Sequence, residues 1–182
     1  MVEARTDLGN TDFKRLIREF SSVARDADVA AVYFAGHGVD IGGKNYLLPV
    51  DVKLTSDLDA EDEAVSLDRV MQMLDGVKRL RVVLLDAARD NPFARSMQRT
   101  KGAAGTGLAR FEPDADDVFI VYAARPGTLA EEIPGDRSAF ATALLKNLAV
   151  PGRDLRTAIG FARDDVVKAT GGKQEVLLLG AF

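Results

Sequence analysis

Residues 29–38 run VAAVYFAGHG. Seven apolar residues follow one another without a charge, and then a histidine stands between two glycines. An unbroken apolar run, β-branched and aromatic in part, suits a strand buried on both faces, as in a parallel sheet. Residues 80–85, LRVVLL, repeat the pattern and end in Asp86-Ala87-Ala88-Arg89. Residues 118–123, VFIVYA, form a third such run, and residues 175–179 a closing strand.

Helical patterns alternate with these strands. Phe13, Leu16, Ile17, Phe20 and Val23 recur at spacings of three and four over residues 11–24, where Asn10 or Thr11 can cap the start. Leu67, Val70, Met71 and Leu74 mark a second amphipathic helix that Gly76 can end. Residues 138–148 give a third, with Phe140, Leu144, Leu145 and Leu148 expected inward, and residues 155–169 a fourth, with Ile159, Ala162 and Val166 as its stripe. Gly42-Gly43 between two short apolar segments is a two-residue hairpin signal. The acidic stretch 57–63 reads as a solvated connection rather than a calcium site. Residues 91–112 lack periodicity and read as a long mobile loop.

Strands alternating with helices imply an α/β domain: a mostly parallel sheet with helices on both faces and right-handed crossovers. The carboxyl ends of such strands share one edge, where open α/β sheets carry their sites. The loops bearing His37 and residues 86–89 are therefore expected to face one crevice.

The chain has 182 residues, the size of one domain, and 47% of them are hydrophobic. Its net charge of −4 makes nucleic acid a poor partner. No run approaches the ~18 apolar residues of a membrane span, and no basic-then-apolar leader opens the chain. A cytoplasmic location without membrane attachment is the expectation. Cysteine is absent and His37 is the single histidine. Disulfides, thiolate metal sites and multi-histidine zinc sites are thereby excluded, and neither metal nor cofactor is expected. No Gly-rich phosphate loop supports an unrelated small-molecule site.

Glycines beside a histidine at a strand end free backbone N–H groups and allow close approach of a ligand. A lone histidine is otherwise most often a surface or satisfied polar residue. Three blocks favour the functional reading. Residues 33–38 (YFAGHG), 43–51 (GKNYLLPVD) and 84–93 (LLDAARDNPF) together resemble the caspase-like peptidases of bacteria, the caspase, metacaspase and orthocaspase group of cysteine endopeptidases (peptidase C14). The likeness continues through residues 107–109, 122–124, 140–145 and 172–175.

The resemblance implies a three-layer caspase-like fold. Residues 1–94 would correspond to a large subunit, 95–112 to a linker and 113–182 to a small subunit. Family members begin with a strand, a helix and a second strand ahead of the segment matching residues 11–24, so N-terminal strands are apparently missing, and a partner strand could complete the sheet. The family pattern at residues 86–89 is D-A-C-R, which sets Ala88 at the nucleophile position. His37 takes the role of general base, and the N–H groups of Gly38 and Ala88 that of oxyanion donors. A methyl group cannot attack a carbonyl, so the chain is inactive as it stands. Ser138 is a remote substitute. Asp86 would line the pocket for a P1 arginine or lysine, or else cap the following turn; animal caspases, which prefer aspartate, carry glutamine there. Arg95, Arg99 and Lys101 are either self-cleavage points or a solvated charged loop.

Two origins fit Ala88: deliberate removal of the nucleophile, or natural loss in a pseudopeptidase. Drift in residues 131–140 and Val176 in place of the usual proline favour loss; the survival of His37 favours removal. Either way two functions follow, a cysteine-endopeptidase scaffold without its cysteine or a peptide- or protein-interaction module.

Overall fold

In the computed structural model, residues 1–88, 90–100, 106–113, 117–131 and 135–180 are described. Two sheets organise them. The main sheet contains β1 (Val29–Ala35), β5 (Leu80–Asp86), β6 (Val118–Tyr122) and β7 (Leu177–Leu179) in that spatial order. The first three are parallel and β7 is antiparallel to β6. A smaller antiparallel sheet holds β2 (Gly38–Ile41), β3 (Lys44–Leu47) and β4 (Val65–Ser66).

Helices cover both faces of the main sheet. Residues alternate along a strand, so one face takes Val83, Leu85, Ile120 and Tyr122. These pack with Ile17 of α1 (Asn10–Ala24) and with Val70 and Met71 of α3 (Leu67–Met73). The other face takes Val82, Leu84, Phe119 and Val121. They meet Phe140 and Leu144 of α4 (Ala139–Leu148), and Ile159, Ala162 and Val166 of α5 (Leu155–Ala169). The three-layer α/β arrangement is the expected one.

Several local expectations are corrected. The N-cap of α1 is Gly9, and the Asn10 N–H is satisfied by Asp51 Oδ1 at 2.8 Å, not by a cap of its own. β1 is not buried on both faces. It is an edge strand, paired with β5 alone among the described strands, and its residues alternate between covered and exposed, with Val29, Ala31, Tyr33 and Ala35 on an open face. Leu145 and Leu148, expected inward on α4, are 62% and 41% exposed on the same side. The stretch 57–63 is not a solvated connection. It forms a 3₁₀ turn (Asp57–Asp59) and a short helix, α2 (Ala60–Glu63), and Asp57 is only 3% exposed.

The loop after residue 90 is anchored over its first part. Asp57 N–H donates to Gln98 O at 2.9 Å and Gln98 N–H to Thr55 O at 2.7 Å. The Asp57 carboxylate accepts the Thr100 N–H and hydroxyl, each at 2.7 Å. A carboxylate taking two charge-assisted bonds from one residue fixes that residue's backbone. Met97 is buried with Tyr46 and Leu54 in a third apolar cluster. Arg89, Lys101, Gly102, Gly105 and the stretch 132–134 lie outside the described residues.

The hairpin β2–β3 turns through Gly42 and Gly43, both at positive φ (61° and 83°), which suits a two-residue turn between twisted strands. Beyond it, the buried Asn45 grips the backbone of residue 109. Its Nδ2 donates to Ala109 O and its Oδ1 accepts from Ala109 N–H, both at 2.7 Å. Tyr122, whose hydroxyl accepts the Phe111 N–H at 3.0 Å, clamps the same segment from below. Burial pushes the Tyr122 hydroxyl pKa up to about 12. Asn45→Ala leaves the Ala109 N–H without a partner and Ala109 O with only the Tyr122 hydroxyl at 3.3 Å, and should cost about 2 kcal/mol. Urea unfolding would show a lower midpoint with an unchanged slope.

Candidate functional site

β1 and β5 run in register, Ala35 against Asp86, so their following loops leave the sheet side by side. Gly36 N–H donates to Asp86 O at 3.2 Å and carries the ladder one step past the strands. Gly38 then sits directly on Ala87: a methyl group added to Gly38 would come 3.2 Å from both the Cβ and the carbonyl oxygen of Ala87, and 2.7 Å from Leu108 Cδ2. Glycine at 38 is what lets the two loops and residue 108 meet.

His37 is exposed, and its Nδ1 lies 3.3 Å from the carbonyl oxygen of Asp90, so the ring reaches a point two residues beyond Ala88. A carbonyl oxygen only accepts, so this contact requires the proton on Nδ1. In the neutral ring with that proton, Nε2 is the nitrogen that bears the lone pair. His37 O accepts from Leu48 N–H at 2.9 Å, which ties the histidine loop to the end of the hairpin.

That bond also reveals the state of Gly38. Antiparallel pairs alternate between bonded and unbonded positions. Since His37 and Leu48 occupy a bonded position, the pair Gly38–Leu47 is unbonded, and the ladder leaves the Gly38 N–H free. The Ala88 N–H likewise has no acceptor among the described residues, whereas Ala88 O is taken by Ala130 N–H at 2.6 Å. Ala88 itself is 2% exposed.

Asp86, at the end of β5, is 4% exposed. Its Oδ2 accepts the hydroxyl of Tyr33 at 2.9 Å and that of Ser138 at 2.5 Å. Ser138 also caps α4, its Oγ accepting the Ala141 N–H at 2.9 Å. This commits Ser138 to Asp86 and to the helix rather than to His37. The sequence marked His37, Gly38, Asp86 and Ala88; all four lie at or just past the carboxyl ends of the paired strands β1 and β5. Tyr33 and Asn45 were inside the resembling blocks, but nothing in their spacing singled them out. The crevice holds no convergent group of three or more metal-ligating side chains among the described residues.

Beside Tyr33 the surface opens into a largely apolar groove of about 510 Å³, lined by Leu84, Ala141, Leu144, Leu145 and Leu148 together with Arg137. It runs along the exposed side of β1 and borders neither His37 nor Ala88.

Comparison with known proteins agrees with this architecture. Residues 1–178 match the caspase-domain family, peptidase C14. Among solved structures, caspase-1 from Spodoptera frugiperda is similar with a TM-score of 0.63 at 18% identity, over 99% of this chain and 71% of that one. At that identity the likeness speaks for the fold. No curated protein matches the chain. By its sequence match over nearly its whole length, the chain belongs to the caspase-domain family.

Proposed function

We propose that the chain is a caspase-like cysteine-endopeptidase domain of the metacaspase and orthocaspase type. In this reading Ala88 stands at the nucleophile position, so the domain binds basic peptides without cutting them. The observation that carries it is the contact of His37 Nδ1 with Asp90 O, two residues past Ala88, together with a Gly38 N–H that the ladder leaves free. In the complete reaction a thiol at residue 88 gives its proton to His37 Nε2 and its sulfur attacks the peptide carbonyl. The Gly38 and Ala88 N–H groups hold the oxyanion. The C–N bond breaks as His37 returns the proton to the leaving amine, and water then releases the acyl group. The methyl of Ala88 supplies no electron pair for the first step.

Asp86 is assigned to the basic P1 side chain: it is a carboxylate at the end of β5, next to the loop of Ala88, with a cation as its fitting partner. The second reading, a pseudopeptidase acting as an interaction module, draws on β1. Its seven apolar residues form an edge without charge or proline to deter pairing. A partner strand laid there would find backbone bonds at the edge and the groove for alternate side chains.

Titration calorimetry with an arginine-containing peptide tests the binding. Asp86→Asn is expected to weaken it at least about tenfold, as loss of a charged partner does. Equal affinity for both forms would remove Asp86 from the reading. The native chain should leave the peptide intact throughout.

A further inference from the structure

A second cleft lies away from the histidine. It holds about 440 Å³ where α1, β3, α2 and α3 meet, and Lys14, Lys44, Glu61, Asp68, Arg69 and Gln72 are among the residues that line it. None of these belongs to the crevice of His37 and Ala88. The wall is polar, unlike the groove beside Tyr33.

Arg69 sets this cleft apart. Only three described arginines are partly buried, Arg69, Arg81 and Arg153. Arg81 places its two terminal nitrogens on Asp75, at 3.0 Å, and on Asp117. Arg153 donates to Asn147 Oδ1 at 2.8 Å and lies over the ring of Phe161. The Arg69 side chain has no hydrogen bond or ion pair with any described residue, and its Nε is buried without an acceptor. A guanidinium keeps its charge in a folded protein, so leaving one partly buried and unpaired costs stability. The fold nonetheless holds it in place. Ser66 Oγ accepts the Arg69 N–H at 3.2 Å as the cap of α3, and Leu67, Val70 and Met71 beside it are core residues.

The other charges of the cleft are partly committed. Lys14 Nζ donates to Asp62 O at 2.5 Å, which leaves further ammonium protons for a ligand. Lys44 Nζ pairs with Glu61 Oε1 at 3.4 Å, an oxygen that also accepts the Tyr46 hydroxyl at 2.6 Å. We propose that the cleft is a binding site for a small oxyanion, a carboxylate or phosphate group, with the Arg69 fork as its principal contact and Lys14 as support. Asp68 and Glu61 oppose a densely charged polyanion, so a compact group of low charge fits. The polar wall suits a ligand whose remainder bears hydroxyl or amino groups.

Calorimetry on the full chain at low salt, with inorganic phosphate and separately with acetate, tests this. At least one should bind with a Kd of about 1 mM or tighter, and the one that binds identifies the group. Arg69→Met keeps the stem, removes the fork and should weaken that binding about tenfold or more. Asp68→Asn removes an opposing charge and should tighten it about threefold. Arg79→Gln, which removes an exposed charge outside the cleft, should leave it unchanged within about twofold. Thermal unfolding separates binding from packing. The anion should raise the Tm of the native chain and not that of Arg69→Met, whose Tm without anion should be no lower than the native one. The proposal is overturned if neither anion binds, or if Arg69→Met responds to the anion as the native chain does. It is also overturned if Arg79→Gln loses as much affinity as Arg69→Met, the mark of diffuse attraction to surface charge. Should Arg69→Met not fold, an unchanged affinity in Asp68→Asn overturns it as well. Its failure leaves the reading of His37 and Ala88 untouched, since the two places share no residue.

Discussion

Ala88→Cys should turn a silent chain into one that cleaves after arginine or lysine. The substitution adds one sulfur atom at the only point where the proposed machinery is interrupted. The His37 Nδ1 contact to Asp90 O leaves Nε2 as the acceptor for the thiol proton. The Gly38 N–H is free of its ladder. General-base assistance contributes typically ~10²–10⁴-fold. His37→Ala in the Ala88→Cys background should therefore lower cleavage by about that factor, and slow alkylation of the new thiol by iodoacetamide. Because residue 88 is 2% exposed, cleavage should show a slow opening step before chemistry. Fluorogenic peptides with arginine, lysine or aspartate at the cleavage position provide the readout. Folded Ala88→Cys protein that cuts none of the basic peptides would refute the assignment of residue 88.

The second large effect concerns stability. Gly107→Ala should destabilise the domain by about 3 kcal/mol. Gly107 has φ of +67°, and a methyl group there would lie 2.4 Å from the carbonyl oxygen of Thr128. Backbone meets backbone at this point, so no side-chain rotation relieves the clash. The consequences pass along the segment. Leu108 is buried against Gly38, its carbonyl accepts the Gly127 N–H at 3.1 Å, and Ala109 is held by Asn45. Displacing residue 107 loosens the packing on the loop that carries His37. For a domain of this size the loss should appear as a fall of roughly 6–12 °C in Tm. Gly127→Ala is the control: φ is +77°, yet nothing stands within 4 Å of the added methyl. It should cost only about 1 kcal/mol from the backbone conformation.

The two effects differ in what made them visible. The proposed interruption at residue 88 rests on comparing the blocks around His37 and Asp86 with the family pattern, since a side chain that bears no electron pair is a property of residue type. The clash at Gly107 was not legible in that way, because Thr128 lies twenty-one residues away and no periodicity links the two.

The linear order of residues determined the α/β class, the positions of the main strands and helices, and the placement of His37 and residues 86–88 at the ends of neighbouring strands. Each depends on local patterns: unbroken apolar runs, apolar residues three and four apart, and glycines where strands end. Tertiary structure alone decided that β1 is an edge with one open face, that Asp57 is buried beneath Thr100, and that Leu145 and Leu148 face outward. It also decided that Tyr33 and Ser138 share one oxygen of Asp86. The physical reason is that burial and hydrogen-bond partners depend on what lies across a sheet or beside a helix. An apolar run therefore specifies a strand and leaves open how many neighbours it has, and a hydroxyl in a sequence does not specify the atom to which it will donate.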